Sequence, residues 1–569
     1  MKKILLSIAL FWVLLFNDAS AQIFTSPPTG NELRAMAEWE EVQALTIAWT
    51  SFPAILKQIV AAARLETTVI ILSDDPAGTE SYLLSANTGG AAFADLNNVV
   101  ILNSNYDSIW MRDYAANPVY SNGVDSLILV DWMYNRPRPN DDSSPLDIAN
   151  HLGIPLYETS ESPYDLRYTG GNYMSDGFGN AFASELILDE NDGTGDFNIF
   201  YPNHSSAEVD AILNDFMGIN TYIKMPVLPY DGIHHIDMHM KLVDEETLLV
   251  GEYPEGVADG PQINANIEYV LANFQSHFGT PYRVVRIPMP PSTGGAFPDS
   301  NGAYRTYTNA VFVNNTIIFP TYREEYDTTA FRIWGEVCPG YTLVGIDCDN
   351  NGNNIISQSG AIHCITHTVG VADPLLISHQ PLADTYNTTT PYEVSAYMRH
   401  RSGIATNRLY WRVQGSSVFN EVTMGAQLDD TYAASIPAQP VGTIIEYYVQ
   451  GESFSGKIQT RPMPAPEAFW SFEVLGNVGI EEQAMGNFAR VFPNPARAIT
   501  CIEIEQQQPV KGSILLRDAT GRLVSTVYEG MFQAGQSKYF FDAANLQAGV
   551  YYLELKSGKH ISTKVVVIQ

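Results

Sequence analysis

The sequence predicts an α/β chain: a mixed α/β domain over residues 33–370, a β-sandwich over 372–475 and a further strand-rich unit over 487–569. Three observations carry this. From Leu33 to Gly370 short apolar runs alternate with longer mixed segments, the pattern of strands interleaved with helices. From Ala372 to Leu475 the apolar residues fall at every second position between Gly and Pro turns, as half-buried strands require. A linker over 476–486 then leads to turn-punctuated strands that run to the C-terminus.

The elements follow in order. Lys2-Lys3, an apolar stretch from Ile4 to Phe16 and Ala19-Ser20-Ala21 have the form of a secretory signal peptide over residues 1–21, cleaved before Gln22. Its apolar stretch is shorter than the roughly 20 residues a membrane span needs. No later segment is long and apolar enough to cross a bilayer as a helix. Val42–Trp49 and Val69–Leu72 read as buried strands, with Ile55–Leu65 a helix between them. Further strand signals lie at Leu127–Val130, Leu248–Val250, Val284–Ile287 and Ala310–Phe319. No internal repeat is visible among these segments. In the second unit the period-two runs are Glu393–Met398, Leu409–Val413 and Ile444–Gln450, and Pro462-Met463-Pro464-Ala465-Pro466 stiffens its end.

Composition excludes some partners. The 569 residues carry 63 acidic against 31 basic side chains, a formal charge of −32. Nucleic acid is disfavoured, because phosphate binding needs clustered Lys and Arg. Cationic substrates are weakly favoured. Four cysteines are too few for a disulfide framework, although Cys338 and Cys348 are close enough in sequence to close a small loop.

The chemistry centres on Cys364, in Gly360-Ala361-Ile362-His363-Cys364-Ile365-Thr366. A thiolate is a strong nucleophile, and a planar guanidinium with paired N–H donors is held by carboxylates. Asp113, in Trp110-Met111-Arg112-Asp113-Tyr114, and Asp237, in His234-His235-Ile236-Asp237-Met238, are the candidate carboxylates. On an extended strand His235 shares a face with Asp237 and is the candidate proton carrier. His234 faces away, His239 is a reserve candidate on the same face, and His363 has no assigned role. Asp347-Cys348-Asp349-Asn350-Asn351-Gly352 matches the start of a calcium loop, but its twelfth position is Gln358 where a bidentate Glu is expected. Asp347, Asp349 and Asn351 are therefore candidates for a structural calcium.

Five strings then occur in a familiar order: Ala37-Glu38-Trp39-Glu40, Trp110-Met111-Arg112-Asp113, Gly170-Gly171-Asn172, His235-Ile236-Asp237 and Gly360 to Thr366. Residues 33–370 resemble the agmatine deiminases and the bacterial-type peptidylarginine deiminases. The resemblance implies the pentein fold, a five-bladed α/β propeller. It implies Cys364 as nucleophile, His235 as proton carrier, and Asp113 and Asp237 as guanidinium ligands. Trp110 and Asn309 enter as further substrate contacts, and no cofactor is required. The second unit resembles the immunoglobulin-like modules that follow secreted bacterial enzymes. Val491-Phe492-Pro493-Asn494-Pro495, Asp518-Ala519-Thr520-Gly521-Arg522 and Leu546 to Leu553 resemble the C-terminal sorting domain of type IX secretion substrates, a β-sandwich. That implies the type IX machinery as a partner and a secreted or outer-membrane surface location, reached through the periplasm.

Two substrates compete. An exported agmatine deiminase would yield N-carbamoylputrescine; a peptidylarginine deiminase would convert arginine of a peptide or protein to citrulline and ammonia through a covalent cysteine thiouronium. Export and the appended modules favour the second. Arg136 and Arg138, in Tyr134-Asn135-Arg136-Pro137-Arg138-Pro139-Asn140, resemble the loop that binds the carboxylate of a C-terminal arginine. A non-catalytic surface adhesin is a third reading, against which the intact Asp, His, Asp and Cys set argues.

Overall fold

The computed structural model describes residues 21–29, 32–476, 489–506, 508–544, 546–558 and 560–569. The expected signal peptide, Ala21 apart, and the expected linker beyond Gly476 lie outside the described residues. The chain divides into two compact units, Met1–Leu475 and Gly476–Gln569.

Within the first unit one structural motif recurs. An antiparallel strand pair is followed by a helix, and the helix delivers a strand parallel to the second of the pair. Met174–Ser175 and Asn180–Ser184 form such a pair, and helix Ser206–Met217 leads to Thr221–Met225. Met240–Leu242 and Thr247–Glu252 are followed by helix Gly260–Asn273 and strand Arg283–Pro288. Val311–Val313 and Thr316–Thr321 are followed by helix Glu324–Val337 and strand Thr342–Asp347. Asn117–Ser121 and Ser126–Tyr134 are followed by helix Pro139–Leu152 and strand Leu156–Thr159, in a sheet enlarged by short strands. The fifth sheet pairs Val42–Ala48 with Thr68–Ser73 across helix Pro53–Ala63, and its antiparallel partner is the distant His367–Gly370. None of the five sheets is closed on itself.

Local chemistry explains the elements. The crossover strands are buried on both faces, so they are continuous Val, Ile and Leu runs, with Leu45, Ile47, Ile70 and Ile71 all inaccessible. Helix Pro53–Ala63 starts with Pro, whose missing N–H costs nothing there, and buries Ile55, Leu56, Ile59, Val60 and Ala63. Helix Ser206–Met217 carries a full capping box between Ser205 and Glu208. The run Ala310–Phe319 is two strands rather than one. Asn314, at φ 49°, takes the left-handed conformation that Asn tolerates, and it turns the chain between them.

Residues 376–473 form two facing sheets. One contains Leu376–Ser378, Tyr392–Arg399, Gly425–Ala426 and Thr431–Ile436; the other contains Ile404–Val413, Asn420–Thr423, Ile444–Ser453, Ile458–Arg461 and Trp470–Glu473. Val394, Ala396 and Met398 meet Leu409, Ile445, Tyr447, Val449 and Phe472 between them. This sandwich shares one compact unit with the α/β part, and polar contacts join the two. Arg461 Nη2 lies 3.1 Å from Glu245 Oε2 with both side chains buried, and its guanidinium lies over the Trp39 ring at 5.9 Å. Lys457 Nζ donates to Glu41 Oε1 at 2.7 Å, and Gln380 Nε2 to Glu246 Oε2 at 2.8 Å.

The second unit pairs a three-stranded sheet with a four-stranded one around Ile502, Ile504, Ile514, Leu516, Leu553 and Leu555. The Asp518–Arg522 turn is held by Asp518 Oδ1, which accepts from the backbone N–H groups of Thr520 and Arg522, with Gly521 at φ 84°.

The Arg461–Glu245 pair generates a stability prediction. Arg461→Ala leaves a buried carboxylate without its partner, which costs about 3–5 kcal/mol. Denaturant unfolding of the full chain should show that loss, and the added change Glu245→Gln should recover part of it. A loss below about 1 kcal/mol would mean that the pair contributes little to docking the sandwich.

Candidate active site

Cys364 is 2% exposed and follows a turn that ends the connection from Thr342–Asp347. Asn309 holds it: Nδ2 donates to Cys364 Sγ at 3.1 Å, while Oδ1 accepts from His363 N at 2.9 Å. The Sγ–H faces Asp237 Oδ2 at 3.6 Å. Burial, then the charges of Asp237 and Asp113, push the thiol well above its ordinary range.

Asp237 does not sit on an extended strand. Ile236–Met238 is one turn of 3₁₀ helix and only His235 before it is extended, so the expected period-two face is absent. What brings the side chains together is tertiary. Asp237 is fully buried, and its Oδ2 meets His363 Nδ1 at 2.7 Å. On its other side His363 Nε2 lies 3.0 Å from both oxygens of Glu38. Glu38 Oε2 accepts from the buried Lys241 Nζ at 2.5 Å and lies 3.9 Å from Arg112 Nη2. The ring thus stands between two carboxylates, with carboxylate oxygens at each of its nitrogens. Burial alone would raise Asp237, but the hydrogen bond and charge of His363 hold it below the usual carboxylate range. Glu38 is likewise kept well below that range by His363, Lys241 and Arg112, against burial.

Asp113 has no such partner. It lies in the short helix Met111–Tyr114, and burial, with the charge of Asp237 second, pushes it up to about 7. His235 Nδ1 lies 3.6 Å from Asp113 Oδ1, and its Nε2 lies 3.4 Å from Thr169 Oγ1. Burial drops His235 to about 4, so it is neutral at neutral pH. Asp113 Oδ1, Asp237 Oδ1 and His235 Nδ1 are all buried without a hydrogen-bond partner. Buried polar atoms of this kind are costly, and a ligand rich in N–H donors cancels the cost.

Glycine makes the approach possible. A Cβ on Gly171 would lie 2.4 Å from His235 Nδ1 and 3.1 Å from Asp113 Oδ1; one on Gly360 would lie 2.3 Å from Trp110 Cζ3. Trp110, Asp113, His235 and Cys364 line a cavity of ≈ 150 Å³, together with Arg136 and Arg138. Tyr134, Ile233, Gln358 and Ser359 complete the wall, Ser359 at φ 62°, a strained conformation for a residue with a side chain. Arg138 Nη1 donates to Tyr134 Oη at 3.0 Å and Ser108 Oγ at 3.3 Å. Arg136 stacks on Phe197 at 4.7 Å and lies 3.7 Å from Glu190 Oε1.

Several sequence expectations are placed differently. Asn309 reaches Cys364 and does not line the cavity. His239 is buried with neither ring nitrogen hydrogen-bonded. Asp349 Oδ2 accepts from Arg305 Nε at 2.6 Å and lies 3.8 Å from Arg323 Nη1, so the proposed calcium ligand Asp349 is engaged by guanidinium groups. Asp347 Oδ1 accepts from Asp349 N at 3.0 Å, and Asn351 is exposed or nearly so beside it. Cys338 and Cys348, close enough in sequence to close a small loop, are both buried free thiols. Sequence reasoning assigned nothing to His363, Glu38 or Thr169. His363 and Glu38 nonetheless stand inside two of the five strings that carry the family resemblance.

Residues 34–369 match the family model of the Porphyromonas-type peptidyl-arginine deiminases. Residues 490–569 match the secretion system C-terminal sorting domain, which marks a secreted or cell-surface protein. An agmatine deiminase of Ectopseudomonas mendocina is 24% identical over 376 residues, covering 60% of this chain and 96% of that protein. A solved structure of the agmatine deiminase of Enterococcus faecalis is 17% identical and covers 61% of this chain and 99% of its own, with a TM-score of 0.51. At that identity it speaks for the fold alone. The family match, by contrast, runs across more than half of the chain and takes in every residue that lines the Cys364 cavity. The chain therefore belongs to the Porphyromonas-type peptidyl-arginine deiminase family, hydrolases acting on carbon–nitrogen bonds.

Proposed function

We propose that the protein is a secreted peptidylarginine deiminase that converts C-terminal arginine of peptides to citrulline. The observation that carries this reading is the presence of Arg136 and Arg138 on the wall of the cavity that also holds Cys364, Asp113 and His235. A guanidinium fork holds a carboxylate through two charge-assisted bonds. Agmatine has no carboxylate for these arginines to meet. The names carried by the two relatives above favour agmatine as the second reading.

The reaction follows from the unpaired atoms. The substrate guanidinium donates to Asp113 and Asp237 and brings a positive charge that favours thiolate at Cys364. The sulfur bonds to the guanidinium carbon. The proton it gives up passes through His235 to the departing nitrogen, the carbon–nitrogen bond breaks and ammonia leaves. Water, losing a proton to His235, then attacks the thiouronium carbon; the carbon–sulfur bond breaks and the ureido product is released. Every charge and proton is carried by a named residue or by water, so the scheme calls for no cofactor.

We further infer that the five sheets are the blades of a propeller around this site. The shared pairing pattern supports it, as does the return of His367–Gly370 to the first sheet. The leader over residues 1–21 and the sorting domain together support passage through the periplasm to the cell surface or the medium.

Three tests follow. The first compares kcat/KM for a peptide ending in arginine, a peptide with internal arginine, and agmatine. The first substrate should lead, and replacing both Arg136 and Arg138 by alanine should cost it about ten- to hundredfold while changing agmatine little. Preference for agmatine, or equal loss of all three, would overturn the clamp.

The second concerns pH. A raised carboxyl pKa makes the neutral form the low-pH form, so Asp113 attracts a guanidinium only above its value of about 7. The kcat/KM profile, which reports the free enzyme, should climb through about pH 7 and level off above it. A profile flat from about pH 5 to 8 would contradict this role.

The third concerns His363, a positioning residue that acts through Asp237. His363→Asn should lower kcat/KM by about 10²–10³, the equivalent of breaking a buried ion pair. It should also move the acid limb upward, because Asp237 loses the group that keeps it ionised. Wild-type kinetics at all pH values would remove the bridge from the mechanism.

A further inference from the structure

Arg136 lines two cavities at once. Beyond the cavity at Cys364 lies a larger one of ≈ 530 Å³, and the two share Arg136 and Ile233 as common wall. The larger cavity is lined by four carboxyl side chains, Asp189, Glu190, Asp192 and Asp196, against the single guanidinium of Arg136. Asp192 Oδ1 is engaged in its own turn, accepting from Thr194 N and Oγ1. Acidic residues on a rim are ordinarily no more than a solvated surface. Glu190 is different: it is 7% exposed, its Oε1 accepts from Asn135 Nδ2 at 2.8 Å, and its Oε2 is buried with no hydrogen-bond partner. His234 Nδ1, on the same wall, is also buried without a partner. A polar ligand is the ready source of what these atoms lack.

We propose that this second cavity receives the side chain of the residue preceding the target arginine, and that it selects a basic one, lysine or arginine. The proposal rests on the peptide-end reading above. Consecutive Cα atoms are about 3.8 Å apart, so a carboxylate held at Arg136 leaves the penultimate residue beside the wall the two cavities share. An ammonium or guanidinium there meets Asp189 and Asp196 at the mouth and Glu190 on the wall. An acidic side chain meets the carboxyl groups there and only one guanidinium, that of Arg136, which the terminal carboxylate already engages, so the cavity discriminates by repulsion as well as attraction.

The test uses the full-length protein and three peptides identical except for their ends, Lys-Arg, Ala-Arg and Glu-Arg, with agmatine alongside. We expect kcat/KM for the Lys-Arg end to exceed that for Ala-Arg by about fivefold or more. Glu-Arg should fall below Ala-Arg, and the spread should narrow with added salt. Asp189→Asn with Asp196→Asn should bring the Lys-Arg to Ala-Arg ratio towards one. Asp189→Lys with Asp196→Lys should reverse the order in favour of Glu-Arg, a gain that loss of folding cannot imitate. Equal turnover of the three peptides, or a Lys-Arg preference that survives charge reversal, overturns the basic subsite and leaves the peptide reading standing. Turnover of agmatine with none of the peptides overturns both.

Discussion

The site depends on one buried chain of hydrogen bonds, Glu38–His363–Asp237. Asp237 is fully inaccessible, and a lone carboxylate there would take up a proton rather than stay charged. His363 prevents this with a 2.7 Å contact, and Glu38 keeps His363 in place from the other side. Glu38 in turn is held by Lys241, which is itself 1% exposed. Hydrogen-bonding groups therefore run unbroken from Lys241 inward to Asp237, and each partners the next in a low-dielectric interior. Cys364 takes its position from the same chain, because Asn309 fastens the backbone of His363 and the sulfur of Cys364 together.

That arrangement splits two chemically identical side chains. Asp237 is pulled down by His363, whereas Asp113, lacking a cationic hydrogen-bond partner, is pushed up to about 7 by burial and by Asp237. Cys364 is raised by burial and then by both aspartates, and His235 is kept neutral by burial. Positive charge brought close to Asp113 and Cys364 is therefore favoured. In the proposed reaction the substrate guanidinium brings that charge and favours ionised Asp113 and thiolate at Cys364, so that the thiol becomes reactive only with substrate bound.

Much of this was legible in the sequence, and the rest was hidden for identifiable reasons. The strands at Val42–Ala48 and Thr68–Ser73 could be read because strands buried on both faces are unbroken apolar runs. The fourfold recurrence of the strand–strand–helix–strand motif, and the fifth sheet that closes a like pattern with the distant His367–Gly370, could not, because they are carried by pairing rather than by repeated residues. The expected face shared by His235 and Asp237 was wrong about the backbone, since a 3₁₀ turn replaces the strand. The two side chains come to the site nonetheless, through partners 126 residues away in one case and 66 in the other. His363 stayed unassigned because its role lies in two long-range contacts that spacing does not encode. Asp349 looked like a calcium ligand for the same reason: its partner Arg305 is 44 residues distant.

The surroundings of Arg136 suit the carboxylate-binding role proposed for it. A guanidinium fixed in a strong ion pair would have to break it before meeting a carboxylate, and that cost would be subtracted from affinity. Here its neighbour Glu190 is pushed up to about 8 by burial, with Arg136 only partly offsetting the shift, so much of it is neutral near pH 7. The 3.7 Å separation agrees with a loose contact rather than a tight bidentate one. Stacking on Phe197 restrains the guanidinium without using its N–H donors. Arg136 is thereby oriented by an aromatic face, a weakly competing carboxyl and the Asn135 carbonyl, which accepts from its Nη1 at 3.1 Å, and the proposed carboxylate contact falls to its other donors.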